Sequence, residues 1–223
     1  MAVRSDNLAS LTPAGRQAMI DYGVTTVIDL RSESEVKGTP SPPFTEFTVA
    51  SQPGSWQEAK LAPSYVNIAL VDDDTAPVLS QAPAMSQRYQ IMVDRRQAAL
   101  GAIFGAISAA EGPVLFHCFA GKDRTGLVAA MLLSLAGVDP EAIGADYAAT
   151  DLQLAGRYDE WLAKASPERL ESMRDELRCP PEWMLGALDH VERRWGGVAA
   201  YLEAAGLTPA AIDRLRARLV DTV

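Results

Sequence analysis

Apolar positions fall in short blocks over the first half of the chain and at helical spacing over the second. "LTPAGRQAMIDYG" sets Thr12 before Pro13 and closes on Gly23, the order of an N-cap, a proline in the first turn and a helix stop. "VTTVIDL" follows with Val24, Thr25, Thr26, Val27 and Ile28 in succession, residues stiff at Cβ that predict a buried strand delivering Asp29 and Arg31 to a loop. Between Gly38 and Pro63, "GTPSPPF" and "SQPGSW" break any helix, while "TEFTV" alternates like a strand. "SYVNIALVDDD" predicts a further strand ending in an acidic turn.

Helix formers fill residues 84 to 110. Leu100, Ile103, Phe104 and Ile107 share one face, and Gly101 and Gly105 would allow close approach to a neighbour. Gly112 and Pro113 stop that helix, "VLFHC" predicts the next strand, and "TGLVAAMLLSLAG" predicts an apolar helix ended by Gly137, with Met131, Leu132, Leu133 and Leu135 in the core. After Asp139 and Pro140, again a cap and first turn, helix continues to the end, with breaks at Ser166–Pro167, Cys179–Pro181 and Gly196–Gly197. This order predicts an α/β fold: a central, mostly parallel sheet flanked by helices, with a helical C-terminal extension. With no composition shift to mark a linker, residues 1–223 read as one domain carrying a helical annex from about 140 to 223.

Hydrophobic residues make up 48% of the 223, enough for a full core. No stretch approaches the roughly 20 apolar residues of a spanning helix, and the N-terminus lacks the order of a secretory signal. The expectation is a soluble, cytoplasmic protein with no stable membrane insertion; export without a signal peptide and the oligomeric state stay open. A net charge of -9 argues against nucleic acid as a partner. Cys118 and Cys179, the only cysteines, are too few for a disulfide framework.

Against this acidic background "PVLFHCFAGKDRTG" is unusual. A loop between a strand's C-terminal end and a helix N-terminus gathers unpaired backbone N–H groups, and the helix dipole adds positive potential. Gly121 permits the conformations that converge those groups on one point, and Arg124, reached from Cys118 by the Cys-x5-Arg spacing, can grip a phosphate with two parallel hydrogen bonds. A cysteine in such a loop loses its proton more readily than the roughly 8.5 of a free thiol. Cys118 is therefore the candidate nucleophile, attacking phosphorus to give a phosphocysteine that water hydrolyses. Thr125 could hydrogen-bond the thiolate, and His117 could orient the loop through backbone contacts. Asp123 is the first candidate for the proton donor, with Asp29 and Asp72 to Asp74 as outside alternatives. No metal or cofactor is called for.

"HCFAGKDRTG" resembles the signature of cysteine-based protein tyrosine phosphatases, and within them the bacterial atypical family of the mycobacterial type. "VRSDNLASLTPAGRQAMIDYGVTTVIDLRSESE", "GVDPEAIGADYAATD" and "GGVAAYLEAAGLT" are similar to that family's other blocks, so the likeness spans most of the chain. Members begin with a further segment containing Asn-Phe-Arg-Asp, whereas here Met1 and Ala2 lie immediately ahead of "VRSDNL". The resemblance implies the phosphatase α/β fold with added helices, and roles for Cys118 as nucleophile, Arg124 as phosphate clamp and Asp123 as acid. Phe119, Ala120, Gly121 and Lys122 would contribute backbone amides, beside Thr125 and Gly126. It further implies that the Lys122 cation extends the substrates from phosphoproteins, phosphotyrosine first and phosphoserine or phosphothreonine after it, to phosphoinositides.

Plainer readings stand beside these. Lys122 could be a solvated charge, Asp123 a helix cap or partner of Arg124, and Asp29 and Arg31 an ion pair rather than a pocket wall. Asp72 to Asp74 read as a solvated turn, Cys179 as structural, His190 as surface and Trp56 as a loop anchor. Rival functions are a catalytically silent phosphate-binding module, or sulfurtransferase or arsenate reductase chemistry at the same thiol.

Overall fold

A computed structural model describes residues 1–41 and 63–219. Four parallel strands, β1 (Ala2–Ser5), β2 (Thr26–Asp29), β3 (Ser64–Asn67) and β4 (Val114–His117), lie side by side in the order β1-β4-β2-β3. All run the same way, so one register line joins Ser5, His117, Asp29 and Asn67 at the C-terminal edge of the sheet. That edge is where ligands bind in open parallel sheets. Strands β2 and β4 are buried throughout, as their runs of branched and apolar residues require.

Alternation along the two central strands divides the core. Val27 and Leu115 face Leu8, Met19, Ile20 and Val24, the last three from helix α1 (Pro13–Asp21) and the turn that follows it. Ile28, Val114 and Phe116 face the opposite side and meet the main helical layer. Thr12 caps α1, its Oγ1 accepting from the Gly15 N–H, as the sequence predicts. α2 (Glu33–Gly38), which the hydrophobic pattern does not announce, starts with a reciprocal cap between Ser32 and Glu35.

The single helix predicted over 84–110 is two. After the short α3 (Ala76–Ser80), α4 (Met85–Arg95) and α5 (Gln97–Ala109) are separated at Arg96. Arg96 leaves the helical path and donates to the carbonyls of Ala69 and Leu70 and to the Asp72 carboxylate, tying the break to the turn after β3. The predicted strand "SYVNIALVDDD" is correspondingly short. Asn67 turns its amide to the carbonyls of Asp29 and Arg31, and Leu70 and Val71 enter the core. The "TEFTV" strand and Trp56 lie outside the described residues.

Helix α6 (Asp123–Leu135) has Leu127, Val128, Ala130 and Met131 buried, while Leu133 is half-buried. Around it lie α7 (Pro140–Lys164), α8 (Pro167–Leu177), α9 (Pro181–Trp195), α10 (Val198–Ala204) and α11 (Pro209–Leu219). The break between α10 and α11 is additional to those read from the sequence. Prolines open α7, α8 and α9 at positions whose N–H needs no intrahelical partner. No helix among the described residues is long and apolar enough to cross a membrane.

Of the two glycines on α5, only Gly101 marks a close approach: a Cβ there would lie 2.6 Å from the Ala205 carbonyl oxygen, whereas nothing lies within 4 Å at Gly105. Gly101→Ala should therefore cost about 1–3 kcal/mol through overpacking, while Gly105→Ala should be neutral or gain up to about 1 kcal/mol from helix propensity. Urea midpoints at unchanged slope measure both.

Candidate active site

Strand β4 ends at His117, and after five intervening residues α6 begins at Asp123. Three contacts shape the intervening loop. Gly121 has φ +70, and a Cβ on it would stand 2.6 Å from the Ser5 carbonyl oxygen, so the end of β1 is its backstop. Asn7 donates from its side-chain amide (2.8 Å) and its backbone N–H (3.2 Å) to the Phe119 carbonyl. His117 Nδ1 donates to the Cys118 carbonyl at 3.0 Å. In trans peptides a carbonyl pinned on one side turns the following N–H to the other, so these bonds aim the amides of Phe119 and Ala120 away from Asn7 and His117. Cys118 sits at the base of the loop, 2% exposed.

Arg124, on the first turn of α6, is held by both oxygens of Glu35, at 2.5 and 2.7 Å. Glu35 is fixed in turn, its Oε2 accepting from the Ser32 N–H at 2.9 Å. Burial alone would raise the Glu35 carboxyl, but the hydrogen bonds and charge of Arg124 bring it below its usual range. Beneath lies a second buried pair. Arg31 donates from Nε and Nη2 to Asp29, Tyr65 donates its hydroxyl to the same carboxylate at 2.8 Å, and His117 Nε2 is 3.6 Å away. Burial again pushes Asp29 up, and Arg31, His117 and Tyr65 together bring it down. Burial lowers His117, with Asp29 opposing.

On the other side, Asp123 Oδ1 accepts from the Tyr89 hydroxyl at 2.5 Å and lies 3.6 Å from Lys122 Nζ. The carboxyl lines a cavity of about 360 Å³ together with Met85, Phe119, Trp161, Lys122 and Leu177. Trp161 stacks on Phe119 with ring centroids 6.3 Å apart and 28° between planes, and Arg157 covers Trp161 at 5.3 Å. Beyond this stack a second cavity of about 420 Å³ touches Ala120 and Gly121, where Arg4 and Arg157 are matched by Asp146 and Asp6.

The structure thus brings Cys118, Asp123 and Arg124 to one loop and helix start. Thr125 Oγ1 is buried with no hydrogen-bond partner among the described residues, a donor still to be used. Three residues depart from their first reading. Asp29, named for the pocket wall, is fully buried because its oxygens serve Arg31 and Tyr65. Lys122 is 2% exposed and donates to the Glu176 carbonyl below the Trp183 ring, so its ammonium is spent on α8 rather than held out to a ligand. Gly126 makes room for Tyr147, whose ring carbon would lie 3.0 Å from an added Cβ. Cys179, read as structural, is indeed buried, and burial pushes its thiol up to about 12. Asp72 pairs with Arg96 and caps the Thr75 N–H, and Asp73 accepts from Ser34 at 2.6 Å. His190 bonds Asp94.

Glu35, Tyr89 and Asn7 escaped the sequence reading. Only Glu35 left a local trace, the S-x-x-E capping box of Ser32 and Glu35. The other two act across 34 and 112 residues of chain.

A model of the tyrosine phosphatase family matches residues 1–221. The triple specificity protein phosphatase PtpB of Mycobacterium tuberculosis is 28% identical to this chain, over 97% of it and 90% of that protein. A tyrosine-protein phosphatase of Nostoc commune is 29% identical, over 97% of this chain and 73% of its own length.

Two outcomes follow from the ion pairs. Glu35→Gln removes a charged acceptor from Arg124, worth about 1.5–3 kcal/mol, so inhibition by vanadate or inorganic phosphate should weaken about ten- to a hundredfold, read as the inhibition constant. Asp29, Glu35 and His117 all have lowered pKa values, so the unfolded chain binds more protons on the acid side and stability is lost as the pH is lowered. The His117 share should start to go below about pH 6.5 and the carboxylate share below about pH 4. Urea midpoints across that range test it, and Glu35→Gln should flatten the lower part.

Proposed function

Since this chain belongs to the tyrosine phosphatase family, we propose that it hydrolyses phosphotyrosine in proteins through a covalent phosphocysteine on Cys118. The observation that carries this reading is Arg124, fixed by the two hydrogen bonds it donates to Glu35, beside a buried Cys118 at the base of the loop. A guanidinium locked in that way meets two oxygens of a phosphoryl group without losing rotamer freedom on binding.

In the first step Cys118 Sγ, as thiolate, forms the S–P bond while the ester P–O bond breaks. Its electron pair goes to the departing oxygen, which takes a proton from Asp123. The loop amides and Arg124 hold the three remaining phosphoryl oxygens, whose charge shifts during transfer. In the second step water attacks phosphorus, the Asp123 carboxylate takes the water's proton, and the S–P bond breaks. Thr125, with its hydroxyl otherwise unpartnered, donates to the sulfur as it leaves.

The leaving group must lie next to Asp123, and the cavity there is walled by Met85, Phe119, Trp161 and Leu177. Such a wall suits a phenol ring better than a serine or threonine side chain. Breadth towards phosphoserine and phosphothreonine is in keeping with the triple specificity in the name of the mycobacterial relative. For phosphoinositides, the cation first assigned to them, Lys122, is engaged by the Glu176 carbonyl.

A panel of phosphotyrosine, phosphoserine and phosphothreonine peptides and phosphoinositide vesicles tests the reading. Cys118→Ser should abolish turnover while still binding the phosphotyrosine peptide, and residual turnover in that variant, or thiosulfate or arsenate turnover by the native chain, would overturn it. Trp161→Ala should raise KM for the phosphotyrosine peptide by up to about tenfold and change that for phosphoserine less.

A further inference from the structure

We propose that Tyr89 is a positioning residue that dictates which oxygen of Asp123 carries the catalytic proton. The proposal rests on the reading of Asp123 as the loop acid and adds the group that orients it.

Tyr89 lies on α4, is fully buried, and gives its hydroxyl to Asp123 Oδ1 at 2.5 Å. Behind it the Tyr147 hydroxyl stands 2.6 Å from the Tyr89 hydroxyl, and that ring is 1% exposed. The two rings meet edge to face at 88°. Burial, and after it the charge of Asp123, disfavours tyrosinate at both residues, so each hydroxyl keeps its single proton. With one proton apiece, Tyr89 must donate to the ionised carboxylate, which leaves Tyr147 to donate to Tyr89. Lys122 Nζ, at 3.6 Å, approaches that same Oδ1. Among the described residues no hydrogen bond reaches Oδ2.

This asymmetry sets the protonation site. A proton on Oδ1 would face the hydroxyl proton of Tyr89 across 2.5 Å, so one of the two would have to give way. The acid proton therefore resides on Oδ2, the oxygen that no donor engages among the described residues. When the ester P–O bond breaks, that proton passes from Oδ2 to the phenol oxygen and the carboxylate left behind keeps the Tyr89 bond. In the second step the same Oδ2 accepts the proton of the attacking water. A donor fixed on the spectator oxygen stabilises the charge that appears on proton release and holds the rotamer through both steps. Gly126 leaves the space that Tyr147 fills behind the pair.

The charged and titratable groups around Asp123 are Lys122, Arg124, Tyr89, Tyr147 and Tyr158, with Arg88 and Glu176 on the cavity wall. Of these, only Tyr89 hydrogen-bonds its carboxyl among the described residues.

The test measures kcat and KM of the full chain on two aryl phosphates, one releasing a strongly acidic phenol that needs no proton and one a weakly acidic phenol that does. Tyr89→Phe should lower kcat about tenfold or more on the second, leave the first and both KM values near native, and move the high-pH limb of kcat upward. Combined with Asp123→Asn it should add no further loss. Tyr147→Phe, one link further back, should show the same pattern more weakly. Equal losses on both substrates, or losses additive with Asp123→Asn, would overturn the proposal. If Asp123→Asn itself fails to distinguish the two phenols, the loop-acid reading falls, and this inference with it. A normal leaving-group effect in Asp123→Asn with none in Tyr89→Phe or Tyr147→Phe sinks the inference alone.

Discussion

A nearly buried guanidinium has to be paired, and the pairing of Arg124 with Glu35 organises the phosphate side of this protein. Glu35 can serve only because α2 starts where it does, and α2 starts there because Ser32 and Glu35 cap each other. That cap follows directly on Arg31, which is locked by Asp29 at the end of β2. Two stacked ion pairs thus transmit the position of a central strand to the arginine that faces the loop. The buried pair costs desolvation and repays it in geometry, which suits a site that must offer a fixed fork to a phosphoryl group.

The opposite side is built differently. There α4 joins the annex helices α7 and α8, and together they bring Tyr89, Tyr147, Trp161 and Leu177 to the far edge of the loop. Its polar contacts follow two lines, Asp123 to Tyr89 to Tyr147 and Lys122 and Arg88 to Glu176, with aromatic and aliphatic surface between them. Arginine–carboxylate pairs dominate one flank and aromatic surface the other, with Cys118 between them just after β4. Lys122 belongs to this second flank, since its bond to the Glu176 carbonyl fastens α8 to the loop.

Much of this was legible in the chain. The strand-loop-helix order around Cys118, the caps at Thr12 and Asp139 and the buried face of α5 are local patterns, set by propensity and periodicity within a few residues. Strand β1 was not legible, because "AVRS" has too little apolar character to stand out and is a strand only through pairing with β4. The break at Arg96 was hidden for a related reason. Good helix formers continue through it, and what stops the helix is the pull of Ala69, Leu70 and Asp72 from another part of the chain.

By itself, then, the sequence determined the kind of chemistry: a Cys-x5-Arg loop between a buried strand and a helix can hardly avoid forming a cradle for an anion, because unpaired amides and a helix dipole come with that order of elements. Only the tertiary structure decided what each polar group does there. Asp29 went inward, Lys122 went to α8, and Glu35 and Tyr89 arrived as partners of Arg124 and Asp123. The reason is physical: a charged side chain settles where its desolvation is best compensated, and the compensating groups sit on strands and helices that meet only once the chain has folded.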